Sequence, residues 1–268
     1  MRLFIAKIRQ RTCHFPHFFY KNALFSAFSK QHLNYAKASN NITINCDMGE
    51  GFSDDLVMPY VDLANIACGG HIDDKKLLQK TIKLAHQYKT KIGAHISYPD
   101  KKNFGRVKMN ISLDNLLESI QTQLDNILKF NDNKIYHIKP HGALYHTASS
   151  DFKLFQQILF FAKKTCAKLI VPFNLHKDLR EEANIQNIIL LNEAFADRAY
   201  DDNGNLLKRT KTDSILSDPQ KINEQFDNIK NNNLTSITGH KINYKADTIC
   251  FHSDNSPSLI ALQKIKNA

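Results

Sequence analysis

Acids, histidines and one lysine recur at one kind of place in this chain, directly at the end of a short apolar run. Residues 42–47 (ITINCD) end at Asp47, with Glu50 three residues on, and residues 65–68 (NIAC) lead through Gly69 and Gly70 to His71. Residues 91–95 (KIGAH) end at His95, and residues 136–141 (YHIKPH) carry His137, Lys139 and His141. Residues 188–193 (IILLNE) end at Glu193, ahead of Asp197 and Arg198; residues 248–252 (TICFH) end at His252, two before Asp254. These residue types move protons, ligate metals and bind anions. Asp47, His71 and His95 have the donor types of a one-carboxylate, two-imidazole metal site with open positions. Asp47 reads equally well as a general base beside glycines that admit a ligand, or as turn chemistry in D-x-G-x-G. A lone histidine after a strand is more often structural, but two of them one repeat unit apart shift the balance toward function. Lys139 suits an oxyanion or an acidic substrate group, or else an ion pair with an acid on a neighbouring strand. Arg198 either clamps a carboxylate or neutralises Asp197. His137 and His141 make a poor metal pair, because four residues along a strand span ~13 Å.

Such residues meet only if the elements between them point every strand the same way. Strand-like and helix-like periods alternate from residue 42 to the end. Residues 73–88, 113–128 and 151–166 place apolar side chains on single helical stripes, the second behind Ser112 as an N-cap. Asp218-Pro219 and Ser256-Pro257 announce two later helices with proline at the first helical position. Aliphatic runs such as 169–171 and 188–191 read as strands buried on both faces, as in a parallel sheet covered by helices. His71 follows Asp47 by 24 residues, and His95 follows His71 by 24. This is the spacing of a repeated βα unit. In a barrel of parallel strands all C-terminal strand ends open on one face, so the fold class expected is a single α/β barrel over 41–268. A doubly wound open sheet also gathers ligands at strand C-termini and is the alternative.

The 268 residues, 42% hydrophobic and 23% charged, suffice for one such domain with a full core. No apolar stretch approaches the ~18 residues of a membrane span. The net charge of +10 is concentrated in a leader, residues 1–40, that lacks acids and holds seven basic residues; from Asp47 on, 29 basic face 26 acidic ones. A nearly neutral body argues against nucleic acid as the partner. The leader has the composition of a mitochondrial-type transit peptide. A plain extension, or a start assigned too far upstream, is the favoured reading. Five cysteines without a C-x-x-C pair, three of them inside expected strands, suit buried free thiols in a reducing, cytoplasmic setting. A Walker A loop, G-x-G-x-x-G and G-x-S-x-G are all absent from the sequence.

Several of these blocks together resemble the signature of the LamB/YcsF family. They are CDMGEG at 46–51, NIACGGH at 65–71, GAHISYPD at 93–100, FGR at 104–106, IKPHGALY at 138–145, EAFADRAY at 193–200 and CFHSDN at 250–255. The resemblance runs in order from residue 42 to the C-terminus. It implies an irregular TIM-like barrel related to sugar hydrolases and deacetylases. It also implies ATP-dependent opening of 5-oxo-L-proline to L-glutamate, as the A component of 5-oxoprolinase beside partner subunits B and C. The chain departs from the family at Gly70 (usually Phe), Ile96-Ser97 (usually Pro-Gly), Val107 and Ala199 (usually Arg), and Asp213-Ser214 (usually small residues). These changes bear on specificity more than on fold.

A lactam carbonyl is a poor electrophile, and ATP can activate it by phosphorylating its oxygen. The roles implied are a base (Asp47 or Glu193), a cationic clamp (Lys139 and Arg198), and proton donors or ligands (His71, His95 and His141). Glu50 joins the catalytic set, and Arg106, Asp197, His252 and Asp254 join Arg198 around the substrate. The missing P-loop suggests that a partner helps to hold the ATP. Two alternatives stand beside this: a stand-alone metal-dependent deacetylase or amidohydrolase built on Asp47, His71 and His95, and a non-catalytic scaffold protein.

Overall fold

The computed structural model describes residues 42–267; the leader expected over 1–40 lies outside the described residues. Seven strands form a closed barrel: β1 (Thr43–Met48), β2 (Leu63–Ala67), β3 (Lys91–Ile96), β4 (His137–Pro140), β5 (Lys168–Pro172), β6 (Leu190–Phe195) and β7 (Thr248–Phe251). Every neighbouring pair is parallel, and β1 pairs with β7, which excludes the open-sheet alternative. The helices are α1 (Asp54–Val57), α2 (Lys75–Tyr88), α3 (Leu113–Phe130), α4 (Gly142–Ala148), α5 (Phe152–Lys164), α6 (Lys177–Ile185), α7 (Pro219–Lys230) and α8 (Ser256–Asn267). None of them is long and apolar enough to cross a membrane.

Local chemistry sets the helix ends. Asp74, Ser112, Asp151 and Asp218 each accept backbone N–H bonds at the start of α2, α3, α5 and α7, contacts worth ~1 kcal/mol apiece. Proline occupies the first position of α7 as expected, whereas α8 begins at Ser256 and puts Pro257 second. Strand β4 is shorter than the apolar run suggests: His141 leaves it to become the N-cap of α4. Pro140 closes the strand, and Gly142 takes a left-handed φ of 52°, where an added Cβ would lie 2.6 Å from the Gly105 carbonyl.

Period two divides each strand between two environments. Ile44, Cys46 and Met48 of β1 join the apolar core, while Asn45 and Asp47 bond across the barrel interior. That interior is polar, unlike the aliphatic layers usual in such barrels. Asn45 Nδ2 donates to Thr248 Oγ1 (2.9 Å), and Asn65 Nδ2 donates to Asn45 Oδ1 and Asp47 Oδ1 (both 2.8 Å). His137 Nε2 donates to Asn65 Oδ1 at 2.6 Å. Gly93 pairs with His137 across β3 and β4, and a Cβ there would lie 2.1 Å from His137 Nε2. Glycine at 93 therefore makes room for the imidazole.

Candidate functional site

Glu50, His71 and His141, which follow β1, β2 and β4, come together with His95 near the end of β3, all buried, with ligand atoms within 4.8 Å of one another. Glu50 Oε1 lies 2.7 Å from His71 Nε2, 3.5 Å from His141 Nδ1 and 3.8 Å from His95 Nε2. The rings of His71 and His141 stack at 3.8 Å, with His95 edge-on to both.

The outer nitrogen of each ring fixes its tautomer. His95 Nδ1 donates to the Lys139 carbonyl (3.0 Å), and His141 Nε2 donates to the Phe104 carbonyl (2.9 Å). The Ser97 hydroxyl gives its proton to the Tyr98 carbonyl, so His71 Nδ1 must donate to Ser97 Oγ (3.0 Å). A neutral imidazole with one nitrogen protonated presents a lone pair at the other. Three lone pairs and a carboxylate oxygen thus face one another, with His95 Nε2 only 2.9 Å from His141 Nδ1. Burial holds His71 and His141 below the ordinary histidine pKa, His141 far below it, so protonation does not relieve the crowding. The donor set and its outer hydrogen bonds could hold a divalent cation.

Asp47 borders this cluster, its Oδ2 3.1 Å from His95 Nε2. Its Oδ1 accepts from Lys139 Nζ at 2.9 Å, and Lys139 reaches on to Glu193 Oε1 at 2.8 Å. Burial pushes the Asp47 carboxyl up; with His95 Nε2 unprotonated, it is the Lys139 ammonium in contact with Oδ1 that holds it below the usual range. Burial opposes the Lys139 charge; Asp47, Cys250 and Glu193 outweigh that and hold it well above the usual lysine value. Both groups stay ionised at neutral pH.

On the far flank of Asp47, His252 Nδ1 donates to Asp197, which also accepts from the His252 backbone N–H (3.0 Å) and Ser258 Oγ (2.9 Å). The imidazole stacks on Phe195 at 5.6 Å and groups with Asp47 and Cys250 in a second set of possible ligand atoms. Lys139 Nζ lies 3.3 Å from Cys250 Sγ, a poor setting for a second cation. Arg198 donates to the carbonyls of Ser214 and Leu207, and its charge lies beside Asp197. Asp197 takes His252 and Ser258 as its hydrogen-bond partners. Arg106 donates to Asp254 Oδ2 at 2.7 Å, and Arg209 approaches the same oxygen at 3.6 Å. A cavity of about 190 Å³ beside them is lined by Asp197, Arg198, Arg209, His252 and Asp254.

The structure therefore gathers Asp47, Glu50, His71, His95, Lys139, His141 and Glu193 at one mouth, with Asp197, Arg198, His252, Arg106 and Asp254 along its rim. The carboxylate set among the three imidazoles is Glu50, whereas Asp47 answers chiefly to Lys139. Sequence reasoning passed over Ser97 as an orienting residue, and Arg209. A Cβ at Gly70 would lie 2.1 Å from Ser97 Oγ, so the departures at 70 and 97 answer one another: the serine hydroxyl fills the room a side chain at 70 needs. Arg209 had no signal, because it lies in a loop far from any strand end.

Comparison with known proteins places this geometry. The LamB/YcsF family profile matches residues 42–268. The 5-oxoprolinase A subunit of Clostridium beijerinckii is 37% identical over 235 residues, covering 84% of this chain and 92% of that protein. The 5-oxoprolinase A subunit of Vibrio vulnificus is 36% identical over 238 residues, covering 85% and 96%. Among solved structures, the lactam utilization protein of Thermus thermophilus superimposes with a TM-score of 0.76 at 26% identity, covering 85% of this chain and 96% of that one. An Enterococcus faecalis structure shares the fold alone, with a TM-score of 0.52 at 11% identity over 84% and 92%. With its strand-end blocks assembled into one mouth and its barrel matched nearly end to end, the chain belongs to the LamB/YcsF family.

Proposed function

We propose that the chain, through residues 41–268, is the hydrolytic component of a 5-oxoprolinase that opens the lactam of 5-oxo-L-proline to L-glutamate. In this reading Glu50, His71, His95 and His141 hold a divalent cation. The observation that carries it is the convergence of three neutral-imidazole lone pairs and one carboxylate on a common point at the barrel mouth. The substrate is taken from the relatives, which are 5-oxoprolinase subunits, and from the Thermus lactam utilization protein.

In the reaction the water oxygen bonds to the lactam carbonyl carbon, the C–N bond breaks, and a proton passes to the nitrogen. A bound divalent cation supplies Lewis-acid polarisation and acidifies water. Asp47, ionised and 3.1 Å from His95, orients the attacking water. Lys139 keeps its charge and offsets the negative charge that develops on the carbonyl oxygen. His252, its Nδ1 proton held by Asp197, exchanges a proton through Nε2. Arg198 and Arg209 give the neighbouring cavity the positive wall that a substrate carboxylate needs. Cys46, Cys68 and Cys250 are buried free thiols, whereas Cys166 is disulfide-bonded, against the expectation of free thiols throughout.

The test is elemental analysis with turnover, assayed with partner subunits B and C present. The expected result is close to one divalent ion per chain, ring opening lost on chelation and regained on adding Zn²⁺, and neither property in His141→Ala. Full turnover in chelator would overturn the metal reading. A second reading couples the same ring opening to ATP held by one of the partners. It is favoured by the designation that the relatives share, each being the A subunit of a 5-oxoprolinase. It predicts glutamate release that needs ATP and both partners, with no nucleotide bound by this chain alone.

A further inference from the structure

A cavity of about 210 Å³ opens after β4, β5 and β6, and none of the four residues of the histidine cluster lines it. Its walls include Phe173, Phe195, Tyr200 and Leu206, and its polar groups include Glu193 and Tyr145. Glu193 is 1% exposed, and its carboxylate faces the buried Tyr145 hydroxyl; no donor meets either carboxylate oxygen in good hydrogen-bond geometry, so acceptor positions on it stay open. The one close charge is Lys139 Nζ, 2.8 Å from Oε1. Buried polar atoms are ordinarily satisfied, and those left over on a cavity wall mark the place of a ligand's groups. Burial and Glu193 both push the Tyr145 hydroxyl well up, so it keeps its proton beside the carboxylate.

The chemistry of the walls defines the ligand. An acceptor-only carboxylate calls for an N–H, and aromatic faces with one leucine suit a small planar ring. Phe195 joins the cavity to the reacting centre, with Lys139 Nζ 5.4 Å from its ring centroid and His252 stacked at 5.6 Å.

We propose that this cavity is the leaving-nitrogen subsite. It seats a five-membered ring whose N–H donates to Glu193, and the same carboxylate receives the amine after ring opening. The inference rests on the 5-oxo-L-proline reading above and adds to it which end of the scissile bond lies where: nitrogen toward Glu193, carbonyl toward Lys139 and Asp47. A ring with oxygen in place of N–H would set a lone pair against a buried carboxylate, so the site rejects lactones.

The test measures binding to the full chain by calorimetry, with 5-oxo-L-proline and its ring-oxygen analogue, 5-oxotetrahydrofuran-2-carboxylate. Wild type is expected to prefer the lactam at least tenfold, and Glu193→Gln to bring the two within about threefold. Ser149→Phe, a change at a partly buried wall position outside the reacting groups, is expected to weaken lactam binding at least tenfold by filling the cavity. Equal affinities in wild type, a preference that survives Glu193→Gln, or wild-type binding in Ser149→Phe would each overturn the subsite while leaving the substrate reading in place. Failure of 5-oxo-L-proline to bind wild type would overturn both.

Discussion

His95 Nε2 and His141 Nδ1 face one another at 2.9 Å, and neither carries the proton a hydrogen bond between them requires. Carbonyl oxygens on the outer sides of both rings have claimed those protons. Two lone pairs in contact repel one another, and a cation seated between them would relieve that repulsion. Binding to the folded state alone raises stability by about 2.7 kcal/mol at a free ion concentration a hundredfold above Kd. Chelation should therefore lower the melting temperature of wild type by several degrees and leave His141→Gln unmoved. Identical melts for wild type with and without chelator would count against the site.

His137, in the barrel interior beneath the cluster, predicts a pH dependence of its own. Burial, followed by Lys139 and His95, pushes its pKa down to about 3, while in the unfolded chain it titrates near 6.5. As pH falls below 6.5 the unfolded chain takes up a proton that the folded chain refuses. Its contribution to stability is complete above about pH 6.5 and is lost progressively toward pH 3. Urea midpoints should fall between pH 7 and pH 5, with this residue contributing at most about 1.4 kcal/mol per pH unit. His137→Gln keeps a donor toward Asn65 and has no proton to gain, so its profile should be flatter. An unchanged slope would exclude His137 as a source.

Lys139 is a structural cation as well as a candidate catalytic one. Replacing it with methionine leaves Asp47 and Glu193 buried without their shared partner. Removing one member of a buried charge network costs ~3–5 kcal/mol. Lys139→Met should lose stability on that scale, and Lys139→Met/Glu193→Gln should recover part of it. Additive losses in the double variant, measured by chemical denaturation, would show that the two charges are not coupled.

The convergence of these residues was legible because a parallel barrel sends every strand C-terminus to one mouth, and strand ends can be read from apolar runs. Asp47, His95, Lys139 and Glu193 lie within strands, where period two also fixes the side they face. Glu50 does not. It lies between Gly49 and Gly51, whose φ values of 71° and 89° turn the chain so that the carboxylate reaches three histidines from other βα units. No periodicity encodes that turn. The partners of Arg198 escaped for a related reason: they are carbonyls at Leu207 and Ser214, in an irregular segment between β6 and α7 where no helical or strand period places a partner.

Asp197 and His252 carry the last prediction. Asp197 has no proton to give: burial raises its pKa, but His252 outweighs this and holds it below the usual range. It therefore acts on the imidazole only as an acceptor, keeping the proton on Nδ1 and leaving the lone pair on Nε2. Asparagine has nearly the same shape, but its amide can present N–H where the carboxylate accepted. The imidazole then favours the other tautomer or turns away. Asp197→Asn should lower kcat by ~10²–10⁴-fold while KM and cation content stay near wild type. Ser258→Ala, which removes one of three donors to Asp197, should cost less than tenfold. If Asp197→Asn keeps kcat within about threefold, His252 does not carry the proton, and the lactam nitrogen must receive it from elsewhere.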